Sequence, residues 1–233
     1  MGEQQQPLSG VFLGEESLLI SCATAWLERG HGIRAVVTDV GDIARWATER
    51  DVPVVAVADV LEQLLAGEPF DYLFSIVNFK LLPTEVLDLP RHLPINYHDS
   101  PLPRYAGVNA TNWAIINGED SHAVTWHVMT EEVDAGAILQ QRQFPILPDD
   151  TAITLNARAY EEALAGFRDL TDQLAAGTAV LTDQPAEGRS YFARWQRPTA
   201  AGVIDWSRSA HEIDRLVRGL DHGTYFNPLG RAK

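Results

Sequence analysis

The stretch from Ile33 to Val77, IRAVVTDVGDIARWATERDVPVVAVADVLEQLLAGEPFDYLFSIV, decides the fold class. It opens on the β-branched run IRAVVT and continues into DIARWATERD, whose apolar residues recur at helical spacing. VPVVAV is a second β-branched run, and DVLEQLLAG is a second helical pattern with Asp59 as its expected N-cap and Gly67 at its end. DYLFSIV then reads as a further strand. Strand and helix alternate with short links, and parallel strands need such crossover connections. Upstream, Val11–Leu13 makes an apolar run into Gly14, and SLLISCATAWLERG has helical spacing that stops at Gly30. The expected fold is therefore α/β, Rossmann-like, with a mostly parallel sheet and helices on both faces.

Downstream the rhythm changes. LPIN is a short strand, NATNWAIING a helix, and AVTWHVM and AILQQRQFPI two more strands. TAITLNARAYEEALAGFRDLTDQLAAG is a long helix capped at Asp150 or Thr151 and stopped at Gly177. RSYFARWQRPTAAGVIDW is a loop-rich crossing, and SAHEIDRLVRGLD a last helix starting from Ser207 or Ser209. The chain reaches NPLGRAK with no ending signal, so a longer polypeptide is expected. The expected organisation is a flexible N-terminus over 1–9, a catalytic domain over 10–190, and a linker with the start of a small C-terminal subdomain over 191–233.

The composition excludes several classes. Acids outnumber bases 32 to 18, for a net charge of -14, which opposes a nucleic-acid ligand because counterion release needs clustered cations. The 233 residues hold no apolar run of membrane-spanning length, and the polar start MGEQQQPLSG carries no signal core, so the cytosol is expected. Gly2 is a poor myristoylation site with Gln at position 6. The single cysteine, Cys22, falls in a helical apolar pattern and reads as packing. The turn FLGEESLL has one glycine where a dinucleotide fingerprint has three, and neither a P-loop nor Gly-x-Ser-x-Gly occurs. No His, Asp and Glu set has metal-ligand spacing.

Chemistry concentrates in INYHDSPLPRYAG, Ile95–Gly107. In a strand, Asn96 and His98 point to one side, at the carboxyl end where open α/β sheets bind ligands. Pro101 and Pro103 stiffen the following loop, and Gly107 permits a turn that other residues resist. In EEVDAGAIL, Asp134 sits in a loop among Glu131 and Glu132. Each feature alone has a plain structural reading, a hydrogen-bonded pair and a solvated acidic turn. Together they supply a neutral donor for an oxyanion, a proton shuttle and a carboxylate to orient it. Such a set needs no Ser or Cys nucleophile and suits direct acyl transfer to an amine. His127 is expected to be partly exposed, His31, His92 and His122 to face solvent, and the six tryptophans to pack mostly in the core.

NYHDSPLPRYAG, followed at this distance by VTWHVMTEEVDAGAIL, resembles the formyltransferases that use 10-formyltetrahydrofolate. Asn96, His98, Ser100, Leu102, Pro103, Tyr105, Gly107, Asp134 and Gly136 match the pattern of that family. The resemblance implies that Asn96 donates to the formyl oxygen, His98 serves as acid or electrostatic partner, and Asp134 positions His98 and helps deprotonate the amine. It implies a folate pocket around Phe79, Lys80, Leu82 and Thr130, Glu131, Glu132, Val133. It places Ser100, Tyr105 and Thr125 toward the acceptor and requires no metal. The wording most resembles formylating domains of nonribosomal peptide synthetases and hybrid polyketide assembly lines. That implies an aminoacyl unit on a carrier protein as acceptor, neighbouring synthetase domains as partners, and a role in antibiotic biosynthesis. A nucleotide-linked amino sugar is the alternative acceptor, and a catalytically silent docking domain the alternative of another class.

Overall fold

A computed structural model describes residues 6–233. Residues 1–5, where Gly2 and most of the expected flexible N-terminus fall, lie outside the described residues; Ser9 already opens the first strand.

The elements follow in order β1 (Ser9–Gly14), α1 (Ser17–Glu28), β2 (Gly32–Val37), α2 (Gly41–Thr48), β3 (Val54–Val55), α3 (Val60–Ala66), β4 (Tyr72–Ile76), α4 (Thr84–Leu87) and β5 (Leu93–His98). Then come β6 (Ala106–Gly107), α5 (Ala110–Asn117), β7 (Ser121–Val128), β8 (Ile138–Pro145), α6 (Ala152–Ala176), β9 (Tyr191–Phe192) and α7 (Ala210–Gly219). Seven strands form one sheet in the order β3-β2-β1-β4-β5-β7-β8. The pairs among β1 to β5 are parallel. The expected α/β, Rossmann-like architecture is thus the one observed. The chain moves outward from β1 to β3, then returns to lay β4 and β5 on the other side of β1, and such a reversal opens a crevice at the carboxyl ends.

The chain forms two compact units. One runs through His98 and adds Trp126–Gln140 and Leu164–Asp183. Its centre is aromatic. Phe12 and Phe74 lie 5.0 Å apart, Phe74 meets Phe167 edge-on at 5.2 Å, and Trp126 meets Phe167 at 5.1 Å. All are fully buried, each contributing roughly 2–3 kcal/mol. Cys22 is buried in this core, as its pattern predicts.

The second unit holds Asp99–Thr125, Gln141–Ala163 and Gln184–Lys233. Tyr105 stacks on Phe192 at 5.3 Å, and Trp113 stacks on the same ring at 4.8 Å. The Tyr105 hydroxyl donates to Glu119 Oε1 at 2.7 Å and accepts from Asn117. Burial, reinforced by Glu119, pushes that phenol up to about 12. Of the two expected starts for the last helix, Ser209 is the cap: it accepts from the Glu212 amide, and Glu212 returns the bond. Gly107 (φ +99) lies against Phe192, whose carbonyl oxygen would stand 2.2 Å from any Cβ there.

Several expectations are corrected. VPVVAV yields only the two-residue β3, because Pro53 has no amide to donate and the strand lies at the sheet edge. Asp59 makes no side-chain cap, since a 3₁₀ turn over Val57–Asp59 leads into α3. His31 is buried against the Trp26 ring, and His122 is buried with Nε2 donating to the Asp99 carbonyl at 2.7 Å. Four tryptophans pack inside, but Trp195 and Trp206 are about four-fifths exposed. No helix among the described residues is long and apolar enough to cross a membrane.

Candidate active site

Strand alternation brings Asn96 and His98 to one side of β5, at its carboxyl end. The neighbouring interior strand β7 contributes His127, and the loop between β7 and β8 contributes Asp134. All four belong to the first unit. His98 Nδ1 lies 3.8 Å from Asp134 Oδ2, and His127 Nε2 lies 3.5 Å from Asp134 Oδ1. Asn96 Nδ2 stands 3.2 Å from His127 Nε2. The His127 Nδ1 faces the Val128 carbonyl at 2.9 Å, an atom that only accepts, so Nδ1 carries a hydrogen. In the neutral ring Nε2 then accepts from Asn96, which sets the amide nitrogen toward His127 and keeps a second N–H for another partner.

His98, His127 and Asp134 are all buried, and Asn96 is half-buried. Electrostatic interactions in such a site are less screened than in water. The loop is held by its own geometry. Asp134 is in the left-handed region (φ +53), which Asp tolerates better than most residues. The Met129 amide donates to the Pro94 carbonyl at 2.8 Å, tying the loop's start to β5. Gly136 lies so close to Val128 that a Cβ would stand 2.0 Å from its carbonyl oxygen.

Beside this cluster's loop opens a cavity of about 390 Å³. Leu87, Pro94 and Met129 supply its apolar wall, and His92, Thr130 and Glu131 its polar rim. That mixture suits a flat heterocycle with polar edges. Thr84 Oγ1 donates to Glu131 Oε1 at 3.3 Å, joining α4 to the loop. Of the expected folate residues, Thr130 and Glu131 line this cavity. Glu132 is exposed and Val133 half-buried. Phe79 is exposed, Leu82 packs on the core, and Lys80 bonds Asp39 at 2.9 Å and approaches Glu15 at 3.6 Å.

The residues expected near the acceptor belong to the second unit and are engaged in bonds there. Ser100 Oγ donates to the Arg104 carbonyl at 2.8 Å, and Thr125 Oγ1 donates to the Ser100 carbonyl at 2.6 Å. Tyr105 makes the Glu119 bond already described.

His127 is the residue that sequence reading misses. Its expected partial exposure is wrong because six of the eight residues of β7, on both faces of the strand, are buried. The signal was its two-residue spacing from Thr125, which sets both on one side of the strand. The contribution of α4 to the cavity left no such signal, because TEVL looks like any surface turn.

The profile of the Formyl transferase family matches residues 53–170, just over half of the chain, and spans Asn96, His98, His127 and Asp134. The chain belongs to the formyltransferase family. Solved structures of similar fold include the sugar 3N-formyl transferase WlaRD, determined with dTDP and 5-N-formyl-THF. It has a TM-score of 0.79 at 20% identity over 91% of this chain and 78% of that one. The N-formyltransferase from Helicobacter canadensis, in complex with folinic acid and dTDP-3-aminofucose, gives 0.78 at 20% identity, covering 91% and 80%. HypX from Aquifex aeolicus gives 0.69 at 21% over 93% of this formyltransferase chain and 35% of HypX. At these identities the likeness carries the fold alone.

Proposed function

We propose that this chain transfers a formyl group from 10-formyltetrahydrofolate to a primary amine, with Asn96, His98 and Asp134 as its catalytic residues. The observation that carries the reading is the Asp134 carboxylate set between two buried imidazoles, one of which orients the Asn96 amide. The donor supplies an activated one-carbon acyl group, and the cavity beside Met129 and Thr130 has the size and the mixed lining that its bicyclic ring needs.

The chain's own groups divide the work. Asn96 directs its second N–H at the formyl oxygen, where negative charge grows as the amine's lone pair forms the new C–N bond. A preorganised donor of this kind is worth about 3–4 kcal/mol of barrier. His98 adds positive character on the same oxygen and delivers a proton to the departing folate nitrogen as the old C–N bond breaks. Asp134 holds the His98 ring and accepts, directly or through water, the proton that the amine sheds. One proton is lost and one gained, so the exchange balances without a metal or a covalent enzyme intermediate. His127 is a positioning residue that acts through Asn96 and Asp134.

For the acceptor, an aminoacyl unit on a carrier protein is the reading carried by the sequence resemblance. It is supported by the first strand-to-helix turn, where Glu15 and Glu16 stand in place of a glycine-rich phosphate cradle. A nucleotide-linked amino sugar is the second reading, favoured by the two sugar formyltransferases of similar fold. The test offers purified protein and 10-formyltetrahydrofolate either an alanyl-loaded carrier domain or a dTDP-linked amino sugar. Formylated alanine released from the carrier is the expected product. Formylation of the sugar alone would establish the second reading. Failure of calorimetry to detect 5-formyltetrahydrofolate binding would leave a silent docking domain.

A further inference from the structure

The segment Arg189–Arg197, RSYFARWQR, holds three arginines and no acid in a chain of net charge -14. Arg189, Tyr191, Arg194, Trp195 and Arg197 are all exposed, Tyr191 by 53% and Trp195 by 81%. The run is firmly built. β9 pairs with β6, the Ala106 amide donates to the Ser190 carbonyl at 2.9 Å, and the Tyr105 amide donates to Ser190 Oγ at 2.8 Å. The Val108 amide donates to the Phe192 carbonyl at 3.0 Å. Beyond β9, the Gln196 amide donates to the Ala193 carbonyl at 2.9 Å, closing a turn with Arg194 and Trp195 at its tip. Arg197 braces this turn, donating Nη1 to the carbonyls of Arg194 and Gln196. A costly aromatic is thus held in water on a rigid platform, between cations.

Exposed tryptophan and arginine on a fixed surface are the residue types that anchor protein interfaces. We infer that the Arg189–Arg197 platform docks the acidic carrier domain that brings the aminoacyl group, with Trp195 as apolar anchor and Arg189 and Arg194 facing carboxylates. The inference rests on the carrier-linked acceptor reading above. Charge favours this partner over RNA: three arginines cannot displace the counterions of a polyanion against the field of the remaining chain. They can meet a few carboxylates at contact distance, where screening over about 8 Å still leaves attraction. The platform is joined through β6 to the loop that follows His98 in the chain.

The experiment compares Trp195→Ala and Arg189→Glu/Arg194→Glu with the unaltered protein, leaving Arg197 to brace the turn. Binding of an acidic holo carrier domain is measured by calorimetry at two salt concentrations. Formylation is measured with alanyl carrier domain and with alanyl-N-acetylcysteamine, which has no protein part. The expected result is carrier binding weakened at least tenfold in both variants, with reduced salt dependence in the charge variant, and an unchanged rate on the small thioester. Equal loss on both substrates, unaltered carrier binding in the variants, or no carrier binding by the unaltered protein would overturn the docking surface. So would loss of binding to transfer RNA in place of the carrier. A protein that binds the carrier through this platform yet formylates neither alanyl substrate would instead refute the acceptor reading and leave the docking surface standing.

Discussion

Four side chains, Asn96, His98, His127 and Asp134, are coupled through contacts of 3.2–3.8 Å, and their substitutions should differ in kind. His98→Ala removes the group proposed to act on both the oxyanion and the leaving nitrogen, and kcat is expected to fall by about 10³ or more, with the melting temperature little changed. Asp134→Asn is expected to cost a similar factor while 5-formyltetrahydrofolate still binds; loss of binding would make Asp134 a structural anchor. His127→Ala should cost less, roughly tenfold to a hundredfold in kcat with KM for the folate kept, because Asn96 loses the acceptor that fixes its amide. His127→Gln, which can still accept a hydrogen from Asn96, should recover part of that loss. Single-turnover rates beside calorimetric folate affinities separate these outcomes.

At the level of elements, the loop from β7 to β8 carries the largest risk. Gly136→Ala drives a Cβ into the Val128 carbonyl and must displace the backbone that presents Asp134. Destabilisation of about 1–3 kcal/mol by chemical denaturation is expected, together with a fall in kcat larger than stability alone explains. The elements were also where sequence was most and least informative. β1, β2, β4 and β5 are legible because their β-branched and aromatic runs have no other use. The pair Asn96 and His98 is legible because strand period places both on one side. β3 shrinks because Pro53 and an edge position act together, which no local pattern expresses. His127 was hidden because burial of β7 comes from what packs on the two faces of the sheet, such as Phe167 of α6 against Trp126, and not from its own residues. The role of α4 beside Met129 is likewise a matter of tertiary approach.

For the whole molecule, acid should act on the second unit in two steps. His222 is half-buried beside Asn112, and burial holds its imidazole below the ordinary value of 6.5. The unfolded chain then binds the proton more readily, so stability begins to fall as pH drops below about 6.5. Asp150 follows at lower pH. Its burial raises the carboxyl, but two bonds from Arg158 at 2.7 and 2.9 Å, with the Leu147 amide and Thr154, hold it below the ordinary 3.8. Its contribution is present above about 3.8 and is lost as pH falls through the depressed folded value. Melting temperatures from pH 7 to 3 should show both declines, with His222→Gln flattening the first and Asp150→Asn lowering the plateau above the second. Tyr105 carries a consequence of another sort. With its phenol locked on Glu119 and ionising only near 12, its ultraviolet phenolate band stays dark at an alkalinity where surface tyrosines already absorb. The chain therefore contains an intrinsic optical gauge, whose early appearance would report that the Phe192 stack has come apart.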